Sequence, residues 1–376
     1  MLTCKDASHL ISKAQEHPLG LGERMGLRFH LWLCDNCRRF EHQVEVLRVA
    51  MKRLGQRHRA EAEQVDLSPE ARERIRAALA GRTGSSTPST STASATLSTT
   101  ESLLKTLYVM ASLVEARDPY TGGHLWRVSL FSRLLAENAG LPDNDVARIA
   151  LGGFLHDLGK VGVPDAILNK PDRLTEEEYE IIKTHPEVGE RLLSGHPLAA
   201  LARSAVLSHH ETPDGLGYPH RLAGDAISID ARIVGLADAF DAMTSTRPYR
   251  QGMPIGKALE IIRSALGRQF DRALGERFLA LGEAGALDHI VGHTDFGIPI
   301  QVCPMCGPTI VVRREQKTGE FVYCRHCGGK SRLERIGDAI RVIATGTRGT
   351  ARELEPEVDT RLIDGLVAES ARVLEL

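Results

Sequence analysis

From about residue 101 to residue 290 the apolar positions recur at helical spacing nearly throughout, and no stretch alternates as a strand would. Leu103, Leu104, Leu107, Met110, Ala111 and Val114 follow that period, and Thr175-Glu176-Glu177-Glu178 has the form of a capping box opening a helix that runs toward His185. The pattern predicts an all-helical domain over residues 101–295. It changes after Pro299, where Thr309 to Arg313 and Glu320 to Tyr323 read as two strands of a small hairpin joined by a turn at Lys317-Thr318-Gly319. Glu357 to Leu376 returns to helical character, with Leu362, Ile363, Leu366, Val367 and Val373 as its apolar face, so residues 337–376 are expected to form a C-terminal helical segment. At the other end, residues 1–80 read as short amphipathic helices, with Ser68-Pro69-Glu70 placing an N-cap before Pro at the first helical position. Residues 81–100, almost wholly Ser, Thr, Ala, Gly and Pro from residue 83 onward, cannot bury enough apolar surface to offset the entropy of ordering it, and they read as a flexible linker.

Composition narrows the class without naming it. A chain of 376 residues with 42% hydrophobic side chains has room for two or three domains and one sizeable core. Its formal net charge of −2 supplies no overall basic field, so binding to nucleic acid is not indicated, nor is attraction to a membrane surface. No run of about 18 apolar residues is present, and Met1-Leu2-Thr3-Cys4-Lys5-Asp6 is too polar for a secretion signal, which makes the cytoplasm the expected location.

The seven cysteines change the picture at both ends. Cys303-x2-Cys306 and Cys324-x2-Cys327 have the spacing of a four-thiolate zinc ribbon, expected over residues 300–336, with Gly307 and Gly328 after each knuckle to allow a tight turn. Cys4, Cys34 and Cys37 form the other group, and no cysteine lies between the two. In a reducing compartment such clusters favour zinc over disulfides. His30 lies four residues before Cys34 and shares a helix face with it.

The middle of the chain carries different chemistry. His156-Asp157 ends a predicted helix just before Gly159-Lys160, and His209-His210 ends another before Glu211-Thr212-Pro213. His124, His185 and Asp238 add further nitrogen and oxygen donors, a set that suits hydrolytic divalent ions such as Fe or Mn better than a thiolate-loving one.

Phe154-Leu155-His156-Asp157-Leu158-Gly159-Lys160, His209-His210-Glu211 and Asp214-Gly215-Leu216-Gly217-Tyr218-Pro219, in this order, resemble the HD-GYP family of metal-dependent phosphodiesterases of bacterial cyclic di-GMP signalling. The resemblance covers roughly residues 101–282. It implies a mainly α fold with a central all-helical HD-type domain, and a dinuclear centre in which His124, His156, Asp157 and Asp238 hold one ion and Asp157, His185, His209 and His210 the other. It implies that Asp157 bridges both ions and that Lys160 steadies charge on a phosphoryl oxygen. Gly217, Tyr218 and Pro219 would shape the ligand pocket, and Arg247 and Arg250 would offer guanidinium forks to the phosphates. The implied reaction is hydrolysis of cyclic di-GMP to linear pGpG, or onward to GMP. Three positions depart from the family: Tyr120 stands where one branch has a Glu for a third metal, Thr212-Pro213 where an Arg-Trp-like pair is common, and Arg221 where Gly is common.

Cys4, His30, Cys34 and Cys37 resemble the zinc-binding anti-sigma module of bacteria, which implies a small helical zinc module at the N-terminus and a sigma factor or other protein partner for residues 1–80. The small β zinc ribbon at the C-terminus reads as a structural clip. Two other functions compete with the phosphodiesterase reading: a nonenzymatic cyclic-dinucleotide sensor that regulates transcription through a sigma factor, and an HD-type hydrolase of another cyclic nucleotide. The intact ligand set with Lys160 argues against the first, and the Gly-Tyr-Pro loop against a general nucleotidase.

Overall fold

The computed structural model describes residues 98–376 apart from 119, 120, 171, 247–250, 338, 356, 375 and 376, together with residues 2, 4–14, 19–34, 37, 38 and 41. The helix expected at Ser68-Pro69-Glu70 and the predicted linker up to residue 97 lie outside the described residues. Near the N-terminus, α1 (Cys4–Lys13) and α2 (Leu21–Leu33) bury Ala7, Leu10 and Ile11 with Leu19, Leu27 and Cys37 in a small core of their own.

The central domain opens with α3 (Thr99–Glu115), which begins two residues inside the predicted linker. The cause is local. Ser98 Oγ accepts the Glu101 N–H at 3.1 Å while the Glu101 carboxylate accepts the Ser98 N–H at 2.7 Å, so a capping box starts the helix within the low-complexity stretch. Then come α4 (His124–Asn138), α5 (Asp143–Leu155), a 3-10 turn over Leu158–Gly162, α6 (Asp165–Leu168) and α7 (Glu176–Ile182). The expected capping box of Thr175 and Glu178 does open α7. The domain continues through α8 (His185–Leu193), α9 (Arg203–Ser208), α10 (Ile229–Thr244), α11 (Ile255–Ala265) and α12 (Arg272–Glu283). Its centre is an edge-to-face cluster of Phe131 on α4, Phe240 on α10 and Phe278 on α12, and each such pair adds about 0.5–1.5 kcal/mol beyond the area it buries.

The C-terminal region differs from expectation in two ways. The predicted hairpin between Thr309–Arg313 and Glu320–Tyr323 does not form. Each cysteine knuckle instead closes its own pair of strands: β3 (Gln301–Val302) with β4 (Thr309–Ile310), and β5 (Phe321–Tyr323) with β6 (Gly329–Ile336). A Cys-x2-Cys turn returns the chain on itself, so the nearest pairing partner lies across the knuckle rather than across Lys317-Thr318-Gly319. Second, β7 (Ala339–Arg348) occupies part of the segment expected to be helical and pairs antiparallel with β6 to complete a three-stranded sheet. A further hairpin of β1 (His293–Asp295) and β2 (Ile298–Pro299) precedes the two cysteine knuckles.

The closing helix α13 (Thr360–Val373) packs on α3 and buries Ile363, Val367 and Ala371 in the central core. Tyr108 and Ser370 hydroxyls meet at 2.8 Å, and Lys105 pairs with Asp364 at 2.6 Å. No helix among the described residues is long and apolar enough to cross a membrane.

Candidate metal centre

Helix ends deliver most of the candidate ligands. His124 and His185 are the first residues of α4 and α8, His156 and His209 cap the ends of α5 and α9, and Asp238 projects from within α10. Backbone contact between two motifs sets Asp157 beside His185: a Cβ on Gly159 would stand 1.8 Å from the His185 carbonyl oxygen, so only glycine permits the approach.

The ring nitrogens converge in two groups. His124, His156 and Asp238 offer donor atoms within 4.8 Å of one another, as do His185, His209 and His210, and the overlapping trio of His156, Asp157 and His209 joins them. Asp157 divides its two oxygens between the groups. Its Oδ2 lies 3.4 Å from Nε2 of both His124 and His156, and its Oδ1 lies 3.5 Å from His185 Nε2. Asp238 Oδ1 stands 3.5 Å from His124 Nε2 and 3.7 Å from His156 Nε2.

Hydrogen bonds behind the rings fix the tautomers. Nδ1 of His156 donates to the Gly153 carbonyl at 2.7 Å, Nδ1 of His185 to Ile182 at 2.8 Å, and Nδ1 of His209 to Ala205 at 3.0 Å. A carbonyl only accepts, so each Nδ1 carries the hydrogen and each neutral ring presents a bare Nε2 lone pair inward. Facing Nε2 atoms are 3.3 Å apart for His124 and His156 and 3.2 Å apart for His185 and His209. Two lone pairs that close repel unless a proton or a cation sits between them. The donors are all nitrogen and oxygen, and the ring bonds are the outer support that metal-binding histidines use, so the residues fit divalent ions.

Electrostatics separates the two groups. Burial opposes charge on His156, but the charges and bonds of Asp157 and Asp238 outweigh it and hold the imidazole up at about 10. His124 is raised against burial in the same way, by Asp157 and Asp241. Burial pushes His185 down to about 3 and His210 to about 4, and it holds His209 well below the ordinary histidine range. Asp157 stays well below the usual carboxylate range: burial works against its charge, and Lys160 and His156 overcome that. Lys160 Nζ donates to Asp157 Oδ2 at 2.6 Å.

Beside this cluster opens a cleft of about 900 Å³, into which His209, His210, Asp238, Gly217, Tyr218 and Pro219 all face. The Tyr218 ring stacks on His210 with centroids 4.6 Å apart. Arg221, noted from the sequence as replacing a common Gly, adopts φ 54, the left-handed conformation that glycine takes without strain. Arg247, Arg250 and Tyr120 lie outside the described residues.

Sequence reasoning missed three supports. Glu211 is buried and accepts the N–H of His220 at 2.6 Å and of Leu222 at 2.9 Å, which ties the Gly-Tyr-Pro loop to the His209-His210 pair. Asp241 Oδ2 receives His124 Nδ1 at 2.7 Å, and Arg127 Nε donates to Asp241 Oδ1 at 2.5 Å. The adjacency of Glu211 to the histidine pair was the available signal. Nothing in the sequence joins Arg127 to Asp241.

The cysteine clusters also assemble. Sγ separations of 3.8 Å for Cys303–Cys327, 3.7 Å for Cys303–Cys306 and 3.6 Å for Cys306–Cys324 match the edges, about 3.8 Å, of a tetrahedron with 2.3 Å metal–sulfur bonds. At the other end His30, Cys34 and Cys37 present donor atoms within 4.8 Å, with His30 Nε2 3.3 Å from Cys37 Sγ and His30 Nδ1 2.9 Å from the Leu2 carbonyl. Cys4 begins α1, but its side chain lies outside the described residues.

Comparison with known proteins places the central region. Residues 108–274 match the HD domain family, and this body is a helical HD-type domain. The chain is 42% identical over 169 residues to the cyclic di-GMP phosphodiesterase response regulator RpfG of Xanthomonas campestris pv. campestris, covering 44% of this chain and 45% of that protein. It is 41% identical over 181 residues to a cyclic di-GMP phosphodiesterase of Thermotoga maritima, covering 48% and 49%. With the 3'3'-cGAMP-specific phosphodiesterase 3 of Vibrio cholerae serotype O1 it shares 42% identity over 173 residues, covering 46% and 37%. The chain thus spans less than half the length of each of these relatives.

Proposed function

We propose that the central domain is a metal-dependent phosphodiesterase that hydrolyses cyclic di-GMP to linear pGpG. The observation that carries the reading is the division of Asp157 between two histidine groups, Oδ2 toward His124 and His156 and Oδ1 toward His185, in a region about 40% identical to cyclic di-GMP phosphodiesterases. In this reading His124, His156, Asp157 and Asp238 hold one ion and Asp157, His185, His209 and His210 the other, with Fe or Mn suited to the nitrogen and oxygen donors. When bound, such a pair of ions supplies Lewis-acid charge to the phosphoryl group and makes a water acidic enough to attack at neutral pH. The residues around it do the rest. Lys160 brings its ammonium to Asp157 at the edge of the cluster, where it answers charge building on a phosphoryl oxygen. Tyr218 gives the cleft an aromatic face held flat by His210, Gly217 and Pro219 shape the wall beside it, and Arg247 and Arg250, outside the described residues, are proposed as guanidinium forks for the phosphates.

Zinc is assigned to both cysteine clusters, Cys4, His30, Cys34 and Cys37 at one end and Cys303, Cys306, Cys324 and Cys327 at the other, because thiolates favour it. Residues 1–80 are proposed as a partner-binding module for a sigma factor or similar regulator, residues 81–97 as its tether, residues 98–295 as the enzyme and residues 300–348 as the ribbon.

A second substrate, 3'3'-cGAMP, is raised by the Vibrio relative, and Thr212, Pro213 and Arg221, the positions that depart from the family pattern, line the cleft where substrate preference is set. Purified, metal-analysed protein incubated separately with the two dinucleotides and followed by chromatography tests both. Linear pGpG from cyclic di-GMP is the expected product. Turnover of 3'3'-cGAMP alone would move the assignment, and no turnover of either by metal-loaded protein would overturn it.

A further inference from the structure

We infer that the C-terminal cysteine ribbon is a positioning element for the metal centre, so that filling the four-thiolate site sets how tightly the central cluster holds its ions. The inference rests on reading that cluster as a metal centre. It starts from the knuckle. The Cys303 N–H donates to the Pro308 carbonyl at 2.8 Å and the Gly307 N–H to the Cys303 carbonyl at 3.0 Å, so the knuckle and β4 move as one unit. Thr309 and Val311, in and just beyond β4, press on the turn that launches His124: a Cβ on Gly122 would stand 2.5 Å from Val311 Cγ2 and 2.9 Å from Thr309 Cγ2. Gly123, at φ 76, lies against β1, where a Cβ would meet Thr294 Cα at 2.7 Å. The next residue is His124.

A second connection reaches the ring of His124 through buried charge. Arg127 Nη1 donates to the carbonyls of Gly122 at 3.1 Å and His293 at 2.9 Å, while its Nε and Nη2 clamp Asp241 at 2.5 and 3.0 Å. Asp241 in turn holds His124 Nδ1 at 2.7 Å, and both Arg127 and Asp241 are 1% exposed. Backbone and side chain of one candidate ligand therefore both lean on residues 293–311. Without a cation the two knuckles meet only through thiol contacts of 3.6–3.8 Å, whereas a bound cation displaces the thiol protons, ties Cys303 and Cys306 to Cys324 and Cys327, and stiffens the knuckle. Loosening it frees the Gly122-Gly123 turn. Loss of an outer partner of a ligating histidine typically weakens metal binding about 10- to 100-fold, and the ribbon acts one contact further out, so about tenfold is expected.

The test uses the full chain, elemental analysis, and a Mn²⁺ titration of protein stripped by a chelator too weak to remove four-thiolate zinc. The variant Cys306→Ser/Cys324→Ser should lose about one zinc per chain and bind Mn²⁺ about tenfold more weakly. Gly122→Ala should keep its zinc yet also weaken Mn²⁺ binding, and adding Val311→Ala with Thr309→Ser, which together remove the two methyls that the new Cβ meets, should recover affinity to within about threefold of wild type. If the cysteine variant fails to fold, the glycine pair decides alone. Unchanged Mn²⁺ affinity in the folded variants overturns the inference. Wild-type protein that takes up no Mn²⁺ overturns the metal-centre reading and the inference with it. Weakened Mn²⁺ binding in the variants, in a protein that hydrolyses neither dinucleotide, supports the inference and overturns only the proposed activity.

Discussion

Replacing Glu211 by Gln probes how the substrate loop is held without touching a candidate ligand. The Glu211 carboxylate is 5% exposed and accepts two backbone N–H groups, from His220 at 2.6 Å and Leu222 at 2.9 Å, which bracket the loop on the far side of Tyr218 and Pro219. Glutamine has nearly the same shape but turns one acceptor into an NH₂ that faces an N–H. One charge-assisted bond is lost and a buried donor is left unpaired, a cost of about 2 kcal/mol. That energy is charged to the loop conformation in which Tyr218 stacks on His210, so the competent form falls by up to about 30-fold relative to alternatives. Steady-state kinetics with cyclic di-GMP should show KM raised by about 10- to 30-fold. Metal content should not change, because His209 is held from behind by Ala205 and Val206 rather than by Glu211. An unchanged KM in a folded variant would refute the reasoning, as would a loss of metal at constant KM, which would make Glu211 a support for the ligands instead of the loop.

Asp157→Ala should reduce hydrolysis below detection, because it removes the carboxylate that faces both histidine groups, and near wild-type turnover with unchanged metal content would contradict the two-ion arrangement. Lys160→Ala should keep its ions by elemental analysis while losing rate on the order of 100-fold; metal lost together with rate would instead make Lys160 part of the ligand scaffold. Burial pushes the Tyr108 hydroxyl up to about 12, above its unfolded value near 10, so its contribution to stability is full below about pH 10 and is lost as pH rises toward 12, by up to about 3 kcal/mol. Thermal melts of wild type and Tyr108→Phe should therefore diverge in slope across that window, and parallel curves would show that Tyr108 does not set the alkaline limit of α13 docking. Deleting residues 1–97 should leave hydrolysis within about twofold, since the central domain opens on its own cap at Ser98, whereas lost activity in a folded, metal-loaded product would make the N-terminal region part of the enzyme.

Local periodicity carried the central domain. The capping box at Thr175 and the helix ends at His156 and His209 were legible because each depends on residues within one or two turns of each other. The same locality explains the errors. Ser98 caps α3 from inside a stretch whose composition reads as disordered, with Glu101 as its partner just beyond that stretch, and β7 was hidden because Ile340 and Val342 alternate within a run of Arg, Thr and Gly that is mostly exposed. Strand partners at the cysteine knuckles depend on which turn closes first, and the docking of α13 on α3 depends on contacts between residues far apart in the chain; a single sequence holds no period to read for either.

At the candidate site the sequence determined which donors are present: the motif order named the histidines, Asp157, Lys160 and Asp238, and the cysteine spacing named both clusters. Only the tertiary structure decided how they meet. That Asp157 turns one oxygen to each histidine group, and that Glu211, Arg127 and Asp241 hold the loop and His124, follow from packing between α4, α10, the cleft loop and the C-terminal strands. The physical reason is that a donor's identity is a property of one residue, whereas where it stands among the other donors, as His124 does against Asp241 and Arg127, is set by partners that folding brings to within 3 Å from more than a hundred positions away.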